Sequence, residues 1–223
     1  MTQAIDILVL TAHPQMEMSR ITRALMKAAA GVPRVQVRDL YALYPDYLID
    51  VATEQTLLQT AQLVVWQHPI HWYHMPPLMK LWVDEVLAFG WAYGPEGNAL
   101  RGKDLWLVAS TGGPDDSYRP SSYNRYHFEA FLPPYEQTAT LCGMRFLPPM
   151  MLHGAHHVTR HELDAHAQTL AQRLHTYPAW PELEELEACV ACEVPFTARP
   201  QEQLDVGLNG RRSGIASSEA EAA

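Results

Sequence analysis

The sequence predicts an α/β fold, a doubly wound five-stranded parallel sheet with helices on both faces. Three observations predict it. From Ile5 to about His175, short apolar runs alternate with amphipathic stretches of helical period, the pattern of βαβ units. Ile5–Leu10 and Asp104–Ser110 are apolar at nearly every position rather than every second one, as strands covered on both faces must be. Five such runs occur, which suits a small doubly wound order better than a large dinucleotide-binding sheet.

Ile5–Leu10 is the first strand, apolar apart from Asp6. Ser19 follows as a helix cap, with Ile21, Leu25 and Ala28 at helical spacing. Val35–Leu40 alternates as a second strand, Thr53–Ala61 is a helix and Gln62–Gln67 a third strand. Pro76–Phe89 opens on proline and ends at Gly90, as helices do. Asp104–Ser110 is a fourth apolar strand, broken by Thr111-Gly112-Gly113-Pro114. A tyrosine-rich irregular segment leads to a helix at Pro134–Cys142. Met144–His153 is the fifth strand; its Pro148-Pro149 pair marks it as bulged or on an edge. Thr159–His175 is the last helix, with Thr159 and Glu162 in capping-box spacing. The expected division is one domain over residues 1–177 and an acidic extension over 178–223, extended or disordered because it loses apolar periodicity.

Composition narrows the function. The 223 residues are 48% hydrophobic and carry a formal net charge of −9. Nine acids and three bases fall from Pro178 onward, so most of that charge sits in the extension. A net-negative surface opposes nucleic-acid binding as a main role. No apolar window is long enough to span a membrane, and the N-terminus does not resemble a signal peptide, so a cytoplasmic protein is expected. Cys142, Cys189 and Cys192 do not make a disulfide framework; Cys189-Val-Ala-Cys192 follows an acidic stretch rather than a strand and has no second CxxC.

In a doubly wound sheet, ligands bind beyond the carboxyl ends of the strands, and three strand ends carry unusual residues here. After strand one, His13, Ser19, Arg20, Ile21 and Thr22 open a helix whose free N–H groups and positive dipole end favour an anion such as phosphate. Taken alone, an ordinary capped helix explains that segment equally well. After strand three, His68-Pro69-Ile70-His71-Trp72-Tyr73-His74 is an aromatic loop bracketed by prolines, able to form an apolar wall with amide donors for a flat heteroaromatic ring. Its three histidines could hold a metal only if the loop coiled, which its prolines oppose. After strand four, Ser110, Thr111, Gly112 and Gly113 allow close backbone approach to a ligand, and Tyr118 with His127 lies in the loop that could roof the pocket. His153, His156 and His157, at the end of strand five, are expected at the surface or an interface.

Three segments together carry a resemblance: Trp66-Gln67-His68-Pro69-Ile70-His71-Trp72-Tyr73, Pro76-Pro77-Leu78-Met79-Lys80-Leu81-Trp82-Val83-Asp84, and Thr111-Gly112-Gly113. With His13 and Gly90-Trp91-Ala92-Tyr93-Gly94 they resemble the flavodoxin-like NAD(P)H:quinone oxidoreductases. Asp39-Leu40-Tyr41, Tyr44-Pro45-Asp46 and Trp66-Gln67-His68-Pro69 are most similar to the ancillary subunits of glutathione-regulated potassium-efflux (Kef) systems. The resemblance implies a non-covalent FMN, NAD(P)H as electron donor, a quinone substrate, a homodimer with active sites at the interface, and a potassium-efflux transporter as partner. It assigns His13 and Ser19–Thr22 to the phosphate and ribityl chain. It gives Pro69, Ile70, His71, Trp72 and Tyr73 to the flavin ring, with Ser110, Thr111, Gly112 and Gly113, and Tyr118 to the active site. Where mammalian relatives have a histidine paired with that tyrosine, Asn124 stands at the ungapped position and His127 follows three residues on, which makes His127 the candidate catalytic partner of Tyr118. Two other roles share the same pocket residues: a mainly regulatory subunit docked on a transporter, and a flavodoxin-type electron carrier.

Overall fold

Five parallel strands stand in the order β2-β1-β3-β4-β5 in the computed structural model, which describes residues 6–186. They are β1 (Ile7–Thr11), β2 (Val35–Asp39), β3 (Leu63–Pro69), β4 (Asp104–Ser110) and β5 (Arg145–Leu152). Between them run α1 (Ile21–Ala30), α2 (Leu40–Leu43), α3 (Val51–Thr60), α4 (Pro77–Val86) and α5 (Pro133–Leu141), followed by α6 (Arg160–Thr176) and α7 (Glu182–Glu185). The flavodoxin-like five-stranded parallel sheet is as the sequence implied.

The continuous apolar runs have a direct cause. Alternate residues of a strand point to opposite faces. Leu8, Leu10, Val64, Trp66, Leu105 and Leu107 pack with Leu58, Trp82 and Tyr135 of α3, α4 and α5. Ile7, Val9, Leu63, Val65, Trp106 and Val108 pack on the other face with Ile21 and Leu25 of α1 and with Leu163, Leu170 and Leu174 of α6. β5 is the edge strand expected from its prolines. The register jumps there, with Trp106 opposite Leu147 and Val108 opposite Met150, and Pro148 and Pro149 occupy the bulge.

Local differences from the sequence reading have identifiable reasons. α3 begins at Val51 rather than Thr53, because the Asp50 carboxylate caps it by accepting from the Thr53 N–H at 3.1 Å. α4 ends at Val86 rather than Phe89; Leu87 leaves helical geometry and is buried, and Gly90 lies in the following turn at φ 79°. α2 was not foreseen: the Asp39 carboxylate accepts from Ala42 N–H and starts one turn. Tyr44, from the Kef-like segment, serves the scaffold. Its hydroxyl donates to the fully buried Glu54 carboxylate at 2.6 Å; the same carboxylate takes the Trp82 indole N–H at 3.0 Å and pairs with Arg38.

Packing does not stop at the expected boundary between residues 177 and 178. Trp180 is 2% exposed, with its ring 4.9 Å from that of Trp106 and the Arg173 guanidinium 3.9 Å from its centroid. Leu183 is buried, and its carbonyl accepts from Arg145, which also chelates Asp104 at 2.8 and 2.9 Å. Residues 178–186 therefore close one end of the α1–α6 layer. Trp180 and Leu183 stand three residues apart, a single helical step, and one step is too short a run to register as periodicity. The remainder of the acidic extension, with Cys189 and Cys192, lies outside the described residues.

Candidate functional site

The carboxyl ends of β1, β3 and β4 converge on a cleft of about 400 Å³, within the size range of small-molecule sites. Each wall follows from local sequence. On the β1 side, the Thr11 hydroxyl donates to Gln67 Oε1 at 2.9 Å, and the Gln67 amide donates to the Thr22 carbonyl at 2.9 Å. These two buried bonds fix the start of α1 against β3. The Ser19 hydroxyl accepts from the Thr22 N–H at 3.0 Å, so Ser19 caps α1 as expected while its own proton remains to be donated. The first N–H groups of a helix lack acceptors within it, and those of α1 open at this cleft. Arg20 crosses it, donating to the Val158 carbonyl at 2.9 Å.

On the β3 side, the proline-bracketed loop forms a small hairpin. Ile70 N–H donates to the Ser110 carbonyl at 2.7 Å, and His71 and His74 exchange N–H···O bonds of 2.8 and 3.0 Å. Trp72 and Tyr73 make the turn at φ 48° and 65°, left-handed values that side-chain-bearing residues rarely adopt. This turn directs Trp72 outward, 93% exposed, so it does not wall the cleft of its own chain. Tyr73 instead stacks on Phe131 at 4.9 Å. Pro69, Ile70 and His71 line the cleft in their place. Beneath them, the buried His68 ring is pushed down to about 4 by burial and is neutral, with Nδ1 2.9 Å from the Pro69 carbonyl.

On the β4 side, Ser110, Thr111 and Gly112 line the cleft. Gly113 lies behind it, where a Cβ would stand 2.7 Å from Ser117 Oγ. The fourth wall comes from the β5–α6 loop. The Ala155 N–H donates to the Thr111 carbonyl at 2.8 Å and the Gly154 N–H to the Gly113 carbonyl at 2.9 Å, which brings Ala155 and His156 onto the cleft. Met18 completes the lining. These three residues went unrecognised in the sequence. The signal for His156 was its place just past a strand adjoining β4, where ligand-binding loops gather.

The structure thus brings together every residue expected around the ligand except Trp72, Tyr73 and Gly113. Tyr118 is buried beside the cleft, its ring 5.3 Å from Phe128 and 5.6 Å from His153. Burial raises the pKa of its hydroxyl, against the Thr111 side chain, which lowers it. His127 is exposed at the start of the turn Phe128–Phe131 and is not part of the lining. Burial, then the neighbouring His71, lowers the pKa of His13; the two rings meet edge-on at 6.0 Å.

The family model described as "Flavodoxin-like fold" matches residues 6–174. Among characterised proteins, the chain is 44% identical over 168 residues to the glutathione-regulated potassium-efflux system ancillary protein KefF of Klebsiella pneumoniae, covering 75% of this chain and 94% of that one. It is 42% identical over 166 residues to general stress protein 14 of Bacillus subtilis, covering 74% of this chain and 95% of that one. Among solved structures, general stress protein 14 of Treponema denticola in complex with FMN superposes with a TM-score of 0.72 at 38% identity, covering 76% of this chain and 97% of that one. With the sheet order, the cleft and a family match over most of its length, the chain belongs to the flavodoxin-like fold family.

Proposed function

We propose that the protein binds FMN in this cleft and reduces quinones by two electrons at the expense of NAD(P)H. The observation that carries the reading is the convergence of a helix N-terminus, the Pro69–His71 wall and the Ser110–Gly112 turn on one space. The residues fit FMN. Ser19 and the first turn of α1 would hold the phosphate by hydroxyl and backbone N–H donors. Pro69, Ile70 and His71 would face the ring, with amides near its polar edge. Gly112 leaves room for close approach, since a Cβ there would meet His156 Nε2 at 3.4 Å. Bound FMN would supply the hydride chemistry. The 38%-identical relative with FMN supports this assignment.

Within this reading Tyr118 protonates or orients the quinone oxygen. Exposed Trp72, Tyr73, Tyr123 and Tyr126 near the cleft support a homodimer whose partner completes the site. The likeness to KefF supports an ancillary role at a potassium-efflux transporter. Among the described residues no helix is long and apolar enough to cross a membrane, so such a role would be by docking. Co-purification with a Kef-type transporter tests it.

The catalytic reading is tested by steady-state turnover of FMN-loaded protein with NAD(P)H and a quinone. Tyr118→Phe keeps the ring and deletes the hydroxyl. It is expected to bind FMN normally and to lower kcat and kcat/KM together about tenfold, near 1.4 kcal/mol of barrier. Full turnover in Tyr118→Phe, where reduction of the quinone is rate-limiting, would remove the tyrosine from the mechanism. His127→Ala is the paired control; its exposed position predicts little change.

A further inference from the structure

The Thr111 hydroxyl, on the cleft wall, is 2.8 Å from the Gly113 carbonyl oxygen and 2.9 Å from Nδ1 of His153. A hydroxyl has one proton to donate. Given to the Gly113 carbonyl, it leaves Oγ1 as the acceptor, and His153 must then donate its Nδ1–H. At the other nitrogen, Nε2 faces a carboxylate oxygen of Asp115 at 3.7 Å. The Phe128 ring meets the imidazole edge-on at 5.0 Å and the Tyr118 ring lies tilted at 5.6 Å, so the ring plane is held. The His153 side chain is 18% exposed and that of Asp115 78%, so the imidazole joins the cleft at one nitrogen to a solvated carboxylate at the other. The Tyr118 hydroxyl interacts with the same Thr111 side chain.

We propose that His153 is the residue that resupplies the proton of quinone reduction, passing it through the Thr111 hydroxyl to Tyr118, with Asp115 serving Nε2. This rests on the quinone reductase reading above. The quinone gains one hydride, derived from NAD(P)H, and one proton. That proton leaves the Tyr118 O–H. The Thr111 hydroxyl turns from the Gly113 carbonyl to the phenolate oxygen and its proton moves there, the Nδ1 proton moves to Thr111, and Nε2 takes a proton from water beside Asp115, the hydroxide left being neutralised by bulk solvent. The imidazole ends neutral with its proton on Nε2, and exchange with water followed by the reverse shift resets it.

The charged groups facing His153 are Asp115 from the turn Asp115–Ser117 and Glu129 from the turn Phe128–Phe131; Tyr118 is the other titratable neighbour. Burial lowers the pKa of the imidazole below 6.5 and outweighs both carboxylates. The ring is therefore neutral at neutral pH, as a relay by tautomer shift requires.

The test uses full-length, FMN-loaded protein with two acceptors: menadione, which needs a proton, and ferricyanide, which takes electrons alone. His153→Gln is expected to lower the ratio of menadione to ferricyanide turnover about tenfold. It should also abolish an inflection in the menadione pH profile on the acid side of 6.5. Asp115→Asn should move that inflection to lower pH, because the carboxylate raises the imidazole pKa. An unchanged ratio overturns the proposal, and so does an equal loss with both acceptors, which would mark a merely structural role. If wild-type protein reduces no quinone, the function reading fails instead. Nitrogen NMR then still judges the histidine: the Nδ1–H tautomer at neutral pH with titration sensitive to Asp115→Asn supports the arrangement, and an Nε2–H tautomer overturns it.

Discussion

Gly112→Val is expected to weaken FMN binding by a hundredfold or more, about 2.8 kcal/mol, while the protein stays folded. Gly112 lines the cleft at a backbone conformation that any residue can adopt, and the nearest atoms to an added Cβ are Nε2 and Cδ2 of His156 at 3.4 and 3.7 Å. The branched side chain would then fill space that the ring needs, at little cost to the empty protein. Fluorescence titration of the flavin-free protein measures the affinity, and a denaturation curve checks the fold. A dissociation constant within threefold of wild type would mean that this cleft is not where the flavin binds. Gly113 is a poorer probe, because a Cβ there would stand 2.7 Å from Ser117 Oγ and 3.0 Å from the Tyr123 hydroxyl and would disturb the whole tyrosine loop.

Truncation after Tyr177 is expected to cost at least about 3 kcal/mol, the low end for deleting one buried tryptophan side chain. It removes Trp180, which lies between the Trp106 ring and the Arg173 guanidinium and whose indole N–H donates to the Arg173 carbonyl at 2.8 Å. It also removes Leu183 and the carbonyl that receives Arg145. A loss of that size is a large part of the usual 5–15 kcal/mol of a domain. Truncation after Leu186 keeps each of these contacts and is the reference in urea denaturation. Equal midpoints for the two truncations would show that the segment is ornamental.

The element pattern was legible because both faces of the sheet are covered, which makes strands such as Leu63–Pro69 and Asp104–Ser110 buried throughout, apolar at most positions and easy to separate from helices. Pro148-Pro149 disclosed an edge strand, since proline has no N–H to give a neighbour. The site was legible to the extent that it is built from strand ends, so His13, Ile70 and Thr111 could be placed without coordinates. Side-chain direction was not legible. Whether Trp72 turns into the cleft or out of it depends on two left-handed residues, and nothing in the residue types announces them. His153 and His156 depend on how the β5–α6 loop folds back through Gly154, at φ 71°, onto the glycine turn after β4. Asp39, Tyr41 and Tyr44 illustrate the opposite limit. They carry part of the resemblance to potassium-efflux subunits, yet Asp39 caps α2, the Tyr41 hydroxyl accepts from the Leu78 N–H, and Tyr44 holds a buried carboxylate.

The central claim is that the cleft is a flavin site, and the most direct measurement is the identity and amount of flavin the protein carries. Full-length protein, purified, incubated with excess FMN and FAD together, desalted and heated, should release FMN into the supernatant at close to one per chain. The same treatment of Gly112→Val should release little. FAD in place of FMN, or no flavin from the wild-type chain, would contradict the account.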